Sequence, residues 1–174
     1  KARAAVEKAL ALDDQLAEAH HIAAAVAFWY DWDWAAAEAS YNRILTLNPG
    51  EAFTHGDYAW FLVNRRRFDE ALREIEHALD LDPLTPLSYG WSVGVHCAAG
   101  RLDEALRAFE RAKELDPTFG LPYFHAGMAY FLKGMSENAI ETLQEGVKTA
   151  PPPGWAEAMI SMIRIRQGNR EEVQ

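Results

Sequence analysis

The sequence of 174 residues predicts an all-α fold, a solenoid in which pairs of helices stack side by side into a superhelix. Three observations support this prediction. A proline recurs at a fixed interval, apolar residues follow helical spacing within each interval, and no window shows the sustained alternation typical of strands. The composition, 49% hydrophobic and 25% charged, is that of a folded protein and argues against wholesale disorder.

The recurring prolines are Pro49, Pro83, Pro117 and Pro151, each 34 residues after the one before. The first three each close a near-identical tripeptide, Leu-Asn-Pro or Leu-Asp-Pro. An earlier copy has Asp14 in place of proline and lies 35 residues before Pro49, so the first interval contains one extra residue. We expect this residue in the turn Asp31-Trp32-Asp33, with Trp32 exposed to solvent.

Within each interval the pattern predicts two helices. In the second unit, apolar residues populate 52–64, a polar break follows at 65–67, and apolar residues then recur at spacings of three and four from Phe68 to Leu79. Acidic residues occupy the first turn of this second helix, where the helix dipole favours anions, and Pro83 ends it.

These intervals divide residues 1–174 into one array. We predict full repeats at 17–51, 52–85, 86–119 and 120–153, a lone second helix at 1–16 and a partial repeat at 154–174. Neither end has the polar cap that a repeat array needs, so we expect the chain to be a fragment of a longer protein.

The 34-residue unit resembles the tetratricopeptide repeat (TPR) family. The family's alanine in the second helix is present as Ala37, Ala71, Ala105 and Ala139. The run 31–34, followed by Ala-Ala-Ala-Glu, resembles the first repeat of TPR arrays attached to bacterial signalling proteins. One departure is Arg66, which stands where other repeats have a turn glycine. The resemblance implies a right-handed superhelix without catalytic activity, whose first helices line a concave groove that binds proteins.

The family's ligand-facing positions fall on a set of residues that is apolar for a surface. They are His21, Phe28, Trp29, Phe53, Trp60, Val63, Asn64, Leu87, Cys97, Leu121, Phe124, Met128, Phe131, Trp155 and Met162. Large exposed apolar patches mark interaction sites. We therefore predict that the groove binds a peptide or protein segment. Two alternatives remain open: cover of the same surface by self-association or by other helices of the protein, and a small apolar ligand.

Several partner classes are not expected. No lysine occupies the positions with which some TPR modules clamp a terminal carboxylate, so we expect no binding of chaperone tails. The net charge of −9 and the pI of about 5.1 disfavour nucleic acid. The longest apolar run is too short to insert into a membrane. A cytoplasmic location is the expectation, with the periplasm left open.

The sequence offers little catalytic chemistry. Cys97 is the only cysteine, which excludes an internal disulfide and a cysteine-based zinc site. His20 and His55 occupy a position that is aromatic in other repeats, so we expect them to pack rather than bind metal. No phosphate-binding loop, hydrolase elbow or metalloprotease motif is present. We expect no enzyme activity, no cofactor and no metal.

Overall fold

All the regular elements are helical in the computed structural model, which describes residues 2–149 and 154–168. The α-helices are α1 (Ala2–Leu12), α2 (Ala17–Val26), α3 (Trp34–Leu47), α4 (Ala52–Asn64), α5 (Phe68–Leu81), α6 (Pro86–Ala98), α7 (Leu102–Leu115), α8 (Leu121–Leu132), α9 (Ser136–Thr149) and α10 (Trp155–Arg166). A π-helical turn, Ala27–Asp31, extends α2. The all-α prediction is confirmed.

The helices form two layers. Each first helix packs against the second helix of its own repeat: α2 on α3, α4 on α5, α6 on α7 and α8 on α9. First helices of successive repeats also pack directly on each other, α4 on α6 and α6 on α8, while α5 and α7 pack on the first helix that follows them. The layer of first helices is therefore the inner, concave side of the stack.

Small residues allow the two layers to approach closely. Ala24 and Ala59 occupy equivalent positions in two first helices and are fully buried, whereas the third repeat has the larger Val93 there, also fully buried. In the fourth repeat this position is Gly127, where an added Cβ would lie 2.6 Å from Leu143. Helices α8 and α9 thus approach so closely that a side chain at Gly127 would displace its neighbour.

The turn within each repeat contains a residue in the left-handed conformation, at intervals of 34 residues. These residues are Trp32 (φ 55°), Arg66 (φ 59°), Gly100 (φ 76°), Gly134 (φ 79°) and Gly168 (φ 89°). Because Trp32 is in register with the others, the extra residue of the first repeat must precede it.

The extra residue is accommodated by the π-helical turn Ala27–Asp31 rather than by the turn that follows. The backbone N–H of Trp32 donates to the carbonyl of Ala27, a wider closure than in an α-helix. The predicted location, Asp31-Trp32-Asp33, is therefore too far along the chain. Trp32 is 65% exposed, as expected.

A polar contact joins the first helix of three repeats to the loop before it. Nε2 of His20 donates to the carbonyl of Asp14 (2.9 Å), and Nε2 of His55 donates to that of Pro49 (3.0 Å). In the fourth repeat, the hydroxyl of Tyr123 donates to the carbonyl of Pro117 (2.8 Å). The two histidines therefore serve the fold as the tyrosine does.

Candidate binding groove

The inner face of the stack contains an apolar cavity of about 610 Å³. It is lined by the π-helical turn and by three first helices, α4, α6 and α8. The lining residues are Trp29, Asp57, Trp60, Trp91, Gly94, Cys97, Ala98, Leu121, Phe124, His125, Met128 and Leu132. Side chains from the first helices of three successive repeats, and from the π-helical turn that extends the first helix of the repeat before them, thus meet at one site.

A second apolar cavity, of about 440 Å³, adjoins the first. The two share Phe124, Met128 and Leu132, which follow each other at intervals of four on one face of α8. Phe131 and residues of α10, including Met162, complete the second cavity. The two cavities form one trough along the inner face.

The structure brings together eight of the side chains predicted to face the groove. Trp29, Trp60, Cys97, Leu121, Phe124 and Met128 line the first cavity, and Phe131 and Met162 line the second. The side chain of Trp155, also predicted there, lies outside the described residues.

Five other predicted residues lie outside both cavities. His21 is hydrogen-bonded to Glu51 (3.0 Å), and the exposed ring of Phe53 lies edge-on to Trp91. Asn64 donates its side-chain amide to the carbonyl of Trp60 (2.8 Å). Val63 and Leu87 are partly buried.

Phe28 is a correction to the predicted groove. Its side chain is only 2% exposed and packs in the core against the ring of Phe61, at 5.5 Å between centroids. The cause is the π-helical turn, because one extra residue advances the following side chains by about 100° around the axis. Phe28 thereby takes the core position that Leu62 occupies one repeat later, and Trp29 turns to the cavity.

The sequence prediction missed Asp57, Trp91 and His125, which lie between the family's ligand-facing positions. Glycines signal two of them. An added Cβ at Gly56 would lie 2.1 Å from the ring of Trp91, and one at Gly94 would lie 2.9 Å from both His125 and Trp60. Each of these two helix glycines therefore lies where a ring of a neighbouring repeat crosses the helix.

Asp57 is the one charged residue among those that line the first cavity. Its Oδ2 accepts a hydrogen bond from the hydroxyl of the fully buried Tyr41, at 2.8 Å. Burial raises the pKa of Asp57, against the lowering effects of the Tyr41 hydrogen bond and of His21. The carboxylate is thus held in place by the core but incompletely solvated.

His125 lies deep in the same cavity, 7% exposed, with its ring centroid 5.2 Å from that of Trp60. Burial lowers the pKa of His125 to about 4, so the ring is uncharged at neutral pH. The ring hydrogen-bonds to the backbone of Gly90, whereas Nδ1 has no hydrogen-bond partner among the described residues. Nε2 therefore carries the proton, and Nδ1 is an unprotonated nitrogen that is closed off from solvent.

The remaining chemistry of the groove is sparse. Burial raises the pKa of the Cys97 thiol to about 11, which disfavours the reactive thiolate. Within residues 2–149 and 154–168, no group of three His, Cys, Asp or Glu side chains could hold a metal ion. None of the helices in these ranges has the length and apolar character needed to span a membrane.

Several solved structures are similar to this chain. PilW, a widely conserved type IV pilus biogenesis factor, matches with a TM-score of 0.84 and 20% identity over 98% of this chain and 79% of its own. YrrB, a TPR protein with an unusual peptide-binding site, matches with a TM-score of 0.65 and 24% identity over 88% of this chain and 79% of its own. The human IFIT1 dimer with PPP-AAAA matches with a TM-score of 0.80 and 21% identity over 98% of this chain and 42% of its own. At these identities the similarity establishes the solenoid fold.

A search of curated proteins gave no match. Two models described as tetratricopeptide repeat match residues 59–118 and 122–153, which together make up more than half of the sequence. The chain belongs to the tetratricopeptide repeat family.

Proposed function

We propose that the chain is a non-catalytic scaffold that binds a peptide or protein segment in the trough on its inner face. The observation that supports this function most strongly is the 610 Å³ cavity, lined by large apolar side chains from successive repeats. Its volume lies in the range of about 300–1,000 Å³ that is typical of ligand sites. The rings of Trp60 and Phe124 are only partly buried, so they are available to a ligand.

The same proposal places the array in the cytoplasm, as a regulatory module of a larger bacterial protein. The run Asp31–Trp34, with its resemblance to arrays attached to signalling proteins, supports this role. The peptide-binding site named for YrrB supports the type of ligand.

Nucleic acid is not the proposed ligand, although one similar structure holds PPP-AAAA. Phosphate groups require basic partners. The charged side chain that lines the first cavity is the carboxylate of Asp57, and the whole chain has a net charge of −9.

The experiment selects random dodecapeptides on the wild-type chain and titrates the strongest binders by calorimetry. We expect the Trp60→Ala/Phe124→Ala double variant to bind them at least about tenfold more weakly, because aromatic anchors carry much of the affinity of such sites. Circular dichroism should show unchanged helix content, since neither ring is fully buried.

Trp32→Ala is the matched control, because this exposed ring lies outside both cavities. It should retain wild-type affinity. Equal affinity of the wild type and the double variant would contradict the proposal, as would a selection that yields no binder. Loss of helix content in the double variant would show that the two rings belong to the core.

Self-association is the alternative use of the same surface. Leu132 and Met162, at the second cavity, are exposed apolar side chains of the kind that pair in dimers. Light scattering over a range of concentrations distinguishes the two functions. We expect a monomer; a dimer that dissociates in the double variant would replace the proposal with self-association.

A further inference from the structure

Three tryptophans line the first cavity and come from three different repeats. Trp29 lies at the end of the first helix in repeat one, Trp60 is on α4, and Trp91 is on α6. Trp29 is 55% exposed, and the other two rings are partly buried. The face of an indole ring carries a partial negative charge that attracts cations. A cluster of three indoles around one cavity is therefore an environment suited to a positively charged group.

The other polar groups of the cavity also suit such a group. Apart from the indole N–H groups and the Cys97 thiol, the polar side-chain atoms belong to Asp57 and His125. An ionised carboxylate only accepts hydrogen bonds. The ring of His125 is more than nine-tenths buried, its Nδ1 is closed off from solvent, and its other nitrogen is hydrogen-bonded to the backbone of Gly90, so His125 adds no free donor to the cavity. No lysine or arginine is among the residues that line the cavity.

We infer that the first cavity binds a basic side chain, lysine or arginine, carried by the partner segment. This inference rests on the proposed function and specifies its ligand. The apolar stem of the side chain would lie against the indole rings. Its ammonium or guanidinium group would donate a hydrogen bond to the carboxylate of Asp57.

Other kinds of anchor satisfy the site less well. An acidic side chain would bring a second negative charge towards Asp57. A wholly apolar side chain would exclude water from Asp57 without offering a donor in its place, and the loss of solvation of a carboxylate is costly. The cation supplies a counter-charge and a second donor to the Asp57 carboxylate, which otherwise accepts from Tyr41.

The adjoining second cavity would bind a further residue of the partner segment. Its lining is Phe124, Met128, Phe131, Leu132, Ala158, Met159 and Met162, all apolar. Because α8 contributes Phe124, Met128 and Leu132 to both cavities, a segment seated in the trough contacts both at once. The partner therefore carries a bulky apolar residue close to its basic residue.

The test compares the sequences of the dodecapeptides selected on three proteins: wild type, Asp57→Asn and Asp80→Asn. Asparagine at 57 removes the charge but retains an oxygen that can accept from Tyr41. Asp80 is an exposed residue of α5 outside both cavities, so Asp80→Asn is a control with the same change in charge. We expect wild-type binders to be enriched in lysine or arginine beside a bulky apolar residue.

On Asp57→Asn this enrichment should disappear, and the wild-type binders should lose about tenfold or more in affinity by calorimetry, whereas Asp80→Asn should match the wild type. Replacing the basic residue of a wild-type binder with norleucine should cost a similar factor. Binders without a basic preference would overturn this inference and leave the proposed function standing. A basic preference that persists in Asp57→Asn would overturn the assigned site. A selection without binders would overturn the proposed function itself.

Discussion

At the scale of single residues, the cavity contains two titratable groups whose pKa values burial shifts in opposite directions. Burial holds the pKa of His125 at about 4, so the ring is uncharged at neutral pH, and burial raises the pKa of Asp57. The rings of Trp60 and Phe124 lie against the imidazole, at 5.2 and 5.6 Å between centroids. The environment thus avoids a fixed positive charge at the place where the proposed ligand brings one.

The low pKa of His125 predicts how stability depends on pH. In the unfolded chain a histidine titrates near 6.5. As the pH falls below this value, the unfolded state takes up the proton before the folded state does, so stability declines from about pH 6.5 until the folded ring titrates near pH 4. The loss from this one residue amounts to about 3 kcal/mol in all.

Urea unfolding of the wild type and of His125→Phe between these pH values measures the effect. The variant should show a shallower decline, because it lacks the group that the unfolded state protonates. Burial also lowers the pKa of His96, so part of the decline should remain. Asp57 has the opposite effect on stability at lower pH: its pKa is raised in the folded state, so its protonation as the pH falls stabilises the folded chain. Parallel curves for the two proteins would show that His125 is not buried as described.

At the scale of helices, the π-helical turn Ala27–Asp31 decides which side chains reach the cavity. Residues in the first part of α2 lie 35 positions before their equivalents in α4, whereas residues after the turn lie 34 positions before their equivalents in the second repeat. The turn absorbs the difference and keeps both Ala24 and Phe28 in the core, at 0% and 2% exposure. Trp29 reaches the cavity as a consequence.

Deletion of Tyr30 tests this role of the turn. The deletion restores the spacing of 34 residues, so Ala27 and Phe28 move to the positions that Leu62 and Val63 occupy in α4, and the ring of Phe28 leaves the core. We expect a loss of about 3–5 kcal/mol, comparable to removal of a buried phenylalanine ring. Tyr30→Ala, at a side chain that is 79% exposed, is the control and should change stability little. Urea midpoints followed by circular dichroism measure both, and equal midpoints would contradict the account.

At the scale of the whole molecule, the sequence predicts the architecture because the repeat is periodic. The prolines at intervals of 34 and the helical spacing between them are properties that every unit shares, and helix α4, for example, spans Ala52–Asn64, the segment that this spacing identifies. A stack of such units buries one continuous core and leaves the first helices on the inside.

The cavity is less predictable, because it depends on departures from the repeat. A uniform spacing predicts Phe28 in the groove, because it cannot reveal a π-helical turn. Asp57, Trp91 and His125 were missed because their positions do not face the groove in the family pattern. Trp91 and His125 reach it here because Gly56 and Gly94 carry no side chain, and these two rings from neighbouring repeats cross above them. Such a crossing depends on side chains of two repeats together, so the sequence of one repeat alone does not predict it.

The most direct test of the central claim locates a bound peptide on the array. A dodecapeptide selected on the wild type, with a benzoylphenylalanine replacing one residue, is irradiated in complex with the chain, and the cross-linked residues are identified by mass spectrometry. We predict cross-links to the inner first helices α4, α6 and α8, at residues such as Trp60, Trp91 and Met128 that line the first cavity. Cross-links confined to the outer helices α5 and α7 would contradict the claim that the trough is the binding site.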